Sequence, residues 1–242
     1  MSSRAFPAST DFVDTGVSAG KGSTNAFTCG AWVKQTTVNA NQRAIMAGEE
    51  SGSGNGWNFY LAAADATTFK IRFRPGNGHG DSTSAAITHD IQLPIFVACV
   101  NSVADNNIRF YAGTTPETIV LITTIGTTRS LHASIGAATI HVGCKKNSSG
   151  SRDESHIGWI SQPFLAFDQE FTLAQIKFMA ACGGNAGLHA LCTFAYLFDG
   201  SDPEQDQSPN NLDGDVTGTS VEADMCVNFA QPANASQIMQ LM

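Results

Sequence analysis

Apolar and polar residues exchange places with period two over short stretches, and breaker-rich loops cut those stretches apart. That combination confines the chain to β-structure. In KIRFR, Ile71 and Phe73 project one way while Lys70, Arg72 and Arg74 project the other, as in a half-buried strand. Asn58 to Leu61 and Ile108-Arg109-Phe110-Tyr111 repeat the pattern, and Ile119 to Ile125 is a β-branched run. The loops GEESGSGNG, RPGNGHGDSTS, SVADNN and KKNSSGSRDES separate these runs. Short strands with turns at this spacing predict an all-β antiparallel sandwich or jelly roll, not βαβ units.

Three phrases order the strands: FTCGAWVKQTT with GWNFYLAAADATTFKIRFR, then IFVACVNSVADNNIRFYAG, then GWISQPFLAFDQEFTLAQI. The last runs into one short helix near 172–182. Thr172 as N-cap and Gln175 three residues on form a capping box. Leu173, Ile176, Met179 and Ala180 give its inward stripe, Gly183-Gly184 offers a stop, and the helix reads as a plug or edge cover. LHALCTFAYLFDG reads as one more apolar strand. The expected organisation is a sandwich core over 1–186, an added strand and acidic loop over 187–229, and a C-terminal arm over 230–242.

Charge removes some classes of function. Charged residues make up 14% of the chain, against about 25% in typical domains, so neutral polar groups carry much of the surface. A net charge of −8 with only 13 Lys plus Arg leaves no basic stripe for nucleic acid, and Arg72, Arg74, Lys145 and Lys146 read as isolated solvated charges. The N-terminal MSSRAFPASTDFVDTG lacks the apolar stretch of a secretory signal, and no run approaches the ~20 apolar residues that span a bilayer. The expectation is a chain made in a cytoplasm, with no membrane insertion. Six cysteines show no C-x-x-C pair, so zinc is not expected. Cys29 and Cys99 read as small core hydrophobes, while Cys182 and Cys192 could meet across a turn.

The order of FTCGAWVK, GWNFYL, KIRFR, the Phe96-Val97-Ala98 strand with its Ile108–Gly113 hairpin partner, and Gly158-Trp159-Ile160 before the helix resembles the concanavalin A-like lectin/glucanase superfamily, in its laminin-G-like branch. The opening RAFPASTDFVDTG is similar to that family's first strand, so the resemblance covers about residues 4–182. DQSPNNLDGDVTG resembles a further phrase of these proteins, D-x-S-x-N-x-x-x-G.

The resemblance raises catalysis, metal binding and sugar binding in turn. Glucanases of the family carry E-x-D-x-E on one strand, because retaining cleavage needs two carboxyl groups about 5 Å apart. No such string is present. Glu49 and Glu50 are adjacent and would face opposite ways, and Asp168 and Glu170 precede the helix, where its dipole favours them. No enzyme activity is expected. Relatives that bind calcium make it the one candidate cofactor, with Asp202, Glu204 and Asp206 as candidate ligands. Glu204-Gln205-Asp206 resembles a pentraxin calcium motif but lies after the G-x-I strand, and calcium needs six to eight oxygens. A sugar site would draw on Asn55, Trp57, Asn58, His79 and Asp81, although Trp57 also opens a strand and so reads as core. Low charge and a C-terminal arm resemble virion proteins. The expected role is a non-enzymatic structural or adhesive component of a phage-like virion, such as a capsid decoration, head or tail-fibre protein. The expected partners are its own copies, other virion proteins and cell-surface glycans, and the alternatives are a carbohydrate-binding lectin or a glycoside hydrolase.

Overall fold

A computed structural model of the chain describes residues 3–18, 26–36, 42–49, 56–63, 65–74, 81–126, 139–146, 152–181, 186–198 and 203–222. Its elements, in order, are β1 (Ser3–Phe6), β2 (Phe12–Ser18), β3 (Phe27–Gln35), β4 (Gln42–Glu49), β5 (Gly56–Ala63), β6 (Thr68–Arg74), β7 (Ser82–Thr83), β8 (Ile87–Thr88), β9 (Ile95–Ser102) and β10 (Asn107–Gly113). β11 (Val120–Ile125), β12 (Thr139–Val142), β13 (Lys145–Lys146), β14 (Arg152–Asp153), β15 (Gly158–Phe167), α1 (Leu173–Ala180), α2 (Ala186–His189), β16 (Phe194–Ala195), β17 (Asp215–Thr217) and β18 (Ser220–Glu222) follow.

Two antiparallel sheets form the expected sandwich. The first runs β11-β10-β9-β3-β15-β1-β18, with β16 also on β15, and the second runs β17-β2-β12-β4-β5-β6-β7, with β8 also on β6. Between them lies an apolar core that includes Phe6, Val13, Phe27, Phe59, Phe73, Phe110 and Ile160. Period two is clean in β6, where Phe69, Ile71 and Phe73 are fully buried and Lys70 is exposed.

β3 and β9 do not alternate: every residue of β9, and all of β3 but one, is buried. The cause is a second hydrophobic cluster on the first sheet's other side, joining Trp32, Phe96, Phe164 and Phe171 to Ile176, Met179 and Leu188 of the helices. Trp32 Nε1 donates to Ala180 O at 2.9 Å, which ties that sheet to the end of α1. The helix is therefore a covering layer and not an edge plug. Its N-cap has the expected capping box, with Thr172 N donating to Gln175 Oε1 at 2.8 Å. Ile176, Met179 and Ala180 face inward, whereas Leu173 in the first turn is 37% exposed.

The segment expected as one apolar strand is split. Leu188 and His189 belong to α2, and only Phe194–Ala195 adds to the sheet, opposite Leu165 and Phe164 of β15. Farther along that edge of β15, β1 pairs with residues 158–160.

After it, the D-x-S-x-N phrase becomes a wired loop. Asp206 accepts from Ala195 N, Ser208 N, Ser208 Oγ and Leu212 N, and Asn210 Nδ2 donates to Cys192 O and Thr193 O. Gly214 ends the phrase because a Cβ there would lie 2.6 Å from Val13 Cγ1. β17 then pairs with β2 and β18 with β1, so two consecutive strands each add to an edge, one in each sheet. Arg4 anchors them, bonding the Glu204 carboxylate and, at 2.8 Å, Thr219 Oγ1. The arm over 230–242 lies outside the described residues.

Candidate functional site, a polar face on the second sheet

The first sheet is covered by helices, whereas the outer face of the second sheet is polar. β5 and β6 pair in a register that sets Asn58 opposite Arg74 and Tyr60 opposite Arg72. Their neighbours Phe59, Leu61, Ile71 and Phe73 fill the core, so these four side chains share the opposite face. Asp81, just before β7, completes the group from the next edge. The segment after β14 closes it on the other side: Glu154 O accepts from Ala44 N, and Arg43 Nη1 donates to Ser155 O at 2.8 Å. Glu154 itself holds φ +49°, a left-handed conformation costly for a side chain larger than glycine's.

The contacts form one network. Tyr60 OH donates to Asp81 Oδ2 at 2.5 Å, and Arg74 Nε reaches Asp81 Oδ1 at 2.8 Å. Arg74 Nη2 donates to Tyr60 OH at 3.2 Å, with its guanidinium 5.3 Å from the Tyr60 ring centroid. Glu154 accepts from Asn58 Nδ2 at 2.6 Å and pairs with Arg74 at 3.4 Å and Lys145 at 3.5 Å. Burial, reinforced by the bond to Asp81, pushes the Tyr60 hydroxyl up to about 12, so it remains a donor. Burial opposes charge on Asp81, but Arg74, Tyr60 and Arg72 outweigh it and hold the carboxyl below its usual range.

Arg72 is less committed. Its side chain is 31% exposed, its Nη1 lies 3.5 Å from Asp81, and its buried Nε has no partner among the described residues. Asn58 Oδ1, fully buried on the same face, likewise has none. Among the described residues the network thus leaves one acceptor, Asn58 Oδ1, and one donor, Arg72 Nε, without a partner.

Farther along the same face, pairing runs Arg74, Asn58, Ala47, His141, Asp14 across five strands. His141 Nε2 lies 3.4 Å from Asp14 Oδ2. Burial would raise Asp14, yet hydrogen bonds from His141, Gly16 N and Thr139 bring it down to about 2. Ala47, with its small side chain, separates this pair from the larger network.

Of the residues proposed for sugar binding, Asn58 and Asp81 join this network. Trp57, next to Asn58 on the strand, points the other way, is 2% exposed and packs on Phe73 in the core. Asn55 and His79 lie outside the described residues. Arg72, Arg74 and Lys145 are gathered around two carboxylates, not scattered as the sequence reading had them. The signal was in the sequence: the alternation that buries Ile71 and Phe73 must put Arg72 and Arg74 together.

The calcium candidates do not fit a metal. Glu204 is held by Arg4, and Asp206 already accepts four protein donors. Those donors point at the oxygens a cation would need. Asp202 lies outside the described residues, among which no group of three His, Cys, Asp or Glu could hold an ion. Glu170 also has a different duty from the one expected. Its carboxylate accepts from Ser102 Oγ, Val103 N and Ala104 N, capping the β9–β10 turn instead of the helix.

A family model described as the concanavalin A-like lectin/glucanases superfamily matches residues 7–155, and the chain belongs to that superfamily. In three dimensions it is similar to a heptameric SAP-like pentraxin from Limulus polyphemus, at 16% identity over 76% of this chain and 83% of that one, with a TM-score of 0.58. It is also similar to the CBM40 of the Ruminococcus gnavus IT-sialidase bound to α2,6-sialyllactose. There the identity is 13% over 75% of this chain and 97% of that one, with a TM-score of 0.56. A search of curated proteins returns no match. At these identities the structural likeness establishes the fold.

Proposed function

We propose that the chain is a non-enzymatic, lectin-like adhesive module that binds a glycan on the polar face of the second sheet. The observation that carries this reading is Arg72, a partly exposed guanidinium with a long ion pair and a partnerless Nε, on the same face as the Asn58 carbonyl, which also lacks a partner among the described residues. A sugar ring presents neighbouring hydroxyls that both donate and accept, and a buried polar group left unpaired gains most from such a partner. A fold shared with a carbohydrate-binding module seen with sialyllactose supports the same reading. A non-catalytic role is supported by Asp81, which stays ionised near neutrality and so has no proton to give a leaving group.

The setting we propose is a phage-like virion, as a decoration, head or tail-fibre component that packs against its own copies. Apolar side chains on the first sheet's edge strand support assembly: Val120 is 52% and Leu121 47% exposed on β11. A similar fold builds the heptameric pentraxin.

The test is a glycan array followed by titration calorimetry with the full chain and with Arg72→Met. A hit whose affinity drops at least tenfold in the variant, at unchanged melting temperature, supports the site. A wild-type chain that binds nothing, or a variant that binds as well, refutes it. Light scattering that finds only monomer at high concentration refutes the assembly half separately.

A further inference from the structure

β3 and β9 lie side by side in the first sheet, and their register sets Cys29 directly opposite Cys99. Both thiols are fully buried and both belong to the core between the sheets, so they project from the same face. Directly opposed residues of an antiparallel pair have Cα atoms about 4.5 or 5.5 Å apart. A disulfide accepts Cα separations of roughly 4.4–6.8 Å, so the register brings the pair within bridging range, with a small approach of the two Cβ atoms completing the bond. The other described cysteines are placed differently: Cys192 Sγ donates to Leu188 O at 3.5 Å beneath the helices, and Cys144 follows β12 in the second sheet.

We propose that Cys29 and Cys99 form a modification site, a cross-strand dithiol that closes to a disulfide by exchange with a small-molecule disulfide. One thiolate attacks the reagent RSSR, forming a mixed disulfide and expelling RS⁻. The second thiolate then attacks the protein sulfur of that mixed disulfide and expels the other RS⁻. Two protein thiols and one RSSR become one protein disulfide and two RSH, so two electrons pass to the reagent. Burial pushes the Cys99 thiol well up, which leaves the folded pair slow to react. The bond therefore forms while the strands assemble, and once made it is shielded from reductant by the same core.

The closed loop is long, spanning β4 to β8 and so much of the second sheet. A cross-link of that reach constrains the unfolded chain strongly. Its formation depends on the compartment in which the chain folds and is independent of the glycan reading.

The experiment refolds the reduced, unfolded full-length chain with and without oxidised glutathione, alkylates it, and maps cysteines by mass spectrometry. The expected result is a product that takes up two fewer alkyl groups than the reduced control and yields a Cys29–Cys99 linked peptide. Its melting temperature should be higher by roughly 5–15 °C, and C29A and C99A should abolish the shift. Native-like protein with both thiols alkylated under oxidising conditions, or linkage to other cysteines instead, overturns the proposal. If refolding fails, the same map on protein expressed in an oxidising compartment decides, because there the pair is either linked or free.

Discussion

The two sheets of this sandwich share one core but treat their outer faces in opposite ways. The centre of the first sheet is apolar on both sides, and α1 and α2 seal its far face around Trp32, Phe96 and Phe164, leaving the edge strand β11 exposed. The second sheet is apolar only toward the core. Its far face carries Tyr60, Arg72, Arg74, Asp81 and Glu154 in a network with two polar atoms left over. A sheet with both faces buried has its surface committed to stability, and a sheet with one polar face can commit that face to a ligand.

Substitutions that exchange these roles should fail in order of size. Trp32→Ala opens the sealed face, removing the ring that packs on Phe96 and the donor to Ala180 O. Urea unfolding should show a loss of about 4 kcal/mol, with glycan binding by the folded fraction unchanged. A loss below about 1 kcal/mol would mean that the helix does not seal the first sheet.

The next effect comes from His156, fully buried behind the first sheet's edge, where it meets Phe6 edge-on and its Nε2 contacts Lys34 O and Trp159 O at 3.1 Å. Burial lowers it to about 4, against partial support from the two carbonyls. In the unfolded chain it takes up a proton near pH 6.5, so below that pH the unfolded state binds more protons. Stability is therefore full above about pH 6.5, falls as the pH drops through 4, and loses about 3 kcal/mol in total. Unfolding curves at pH 7.5 and 4.5 measure this, and His156→Gln should flatten that part of the profile.

A smaller effect belongs to the cap of the sealing helix. Thr172→Ala removes the acceptor for Gln175 N and should cost about 1 kcal/mol by the same assay. The smallest stability effect belongs to the polar face. Arg72→Met should change unfolding by no more than about 0.5 kcal/mol, because its ion pair is long and half-exposed. Its effect should appear in binding. If it destabilises as much as Thr172→Ala, the polar face is a structural network and the contrast between the sheets is lost.

The strands were legible wherever one face is wet. β6 announces itself by strict alternation, and the register it demands already brings Arg72 and Arg74 to one face. The helix start was legible as well, because Thr172 and Gln175 satisfy each other within one turn. Other features were not. Nothing in β3 or β9 says which element covers its second face, since a doubly buried strand reads as a plain apolar run. The apolar run around β16 does not say that only two of its residues join the edge of β15, which they share with β1. Glu154 and Lys145 entered the candidate site from a hairpin distant in sequence, and no local pattern links them to Asn58 or Arg74.

The periodicity is written in the sequence, and with it the all-β class, the inward residues of the half-buried strands and the capped start of α1. The sequence also shows what is missing, because the paired carboxylates of a glucanase strand are a local pattern and do not occur. Only the tertiary structure decided which strands are neighbours, and therefore which polar residues meet. Periodicity is a property of a few consecutive residues. Proximity across strands comes from closing long loops over one core, and only then does Asn58 find Glu154, Arg74 find Asp81 and Cys29 face Cys99.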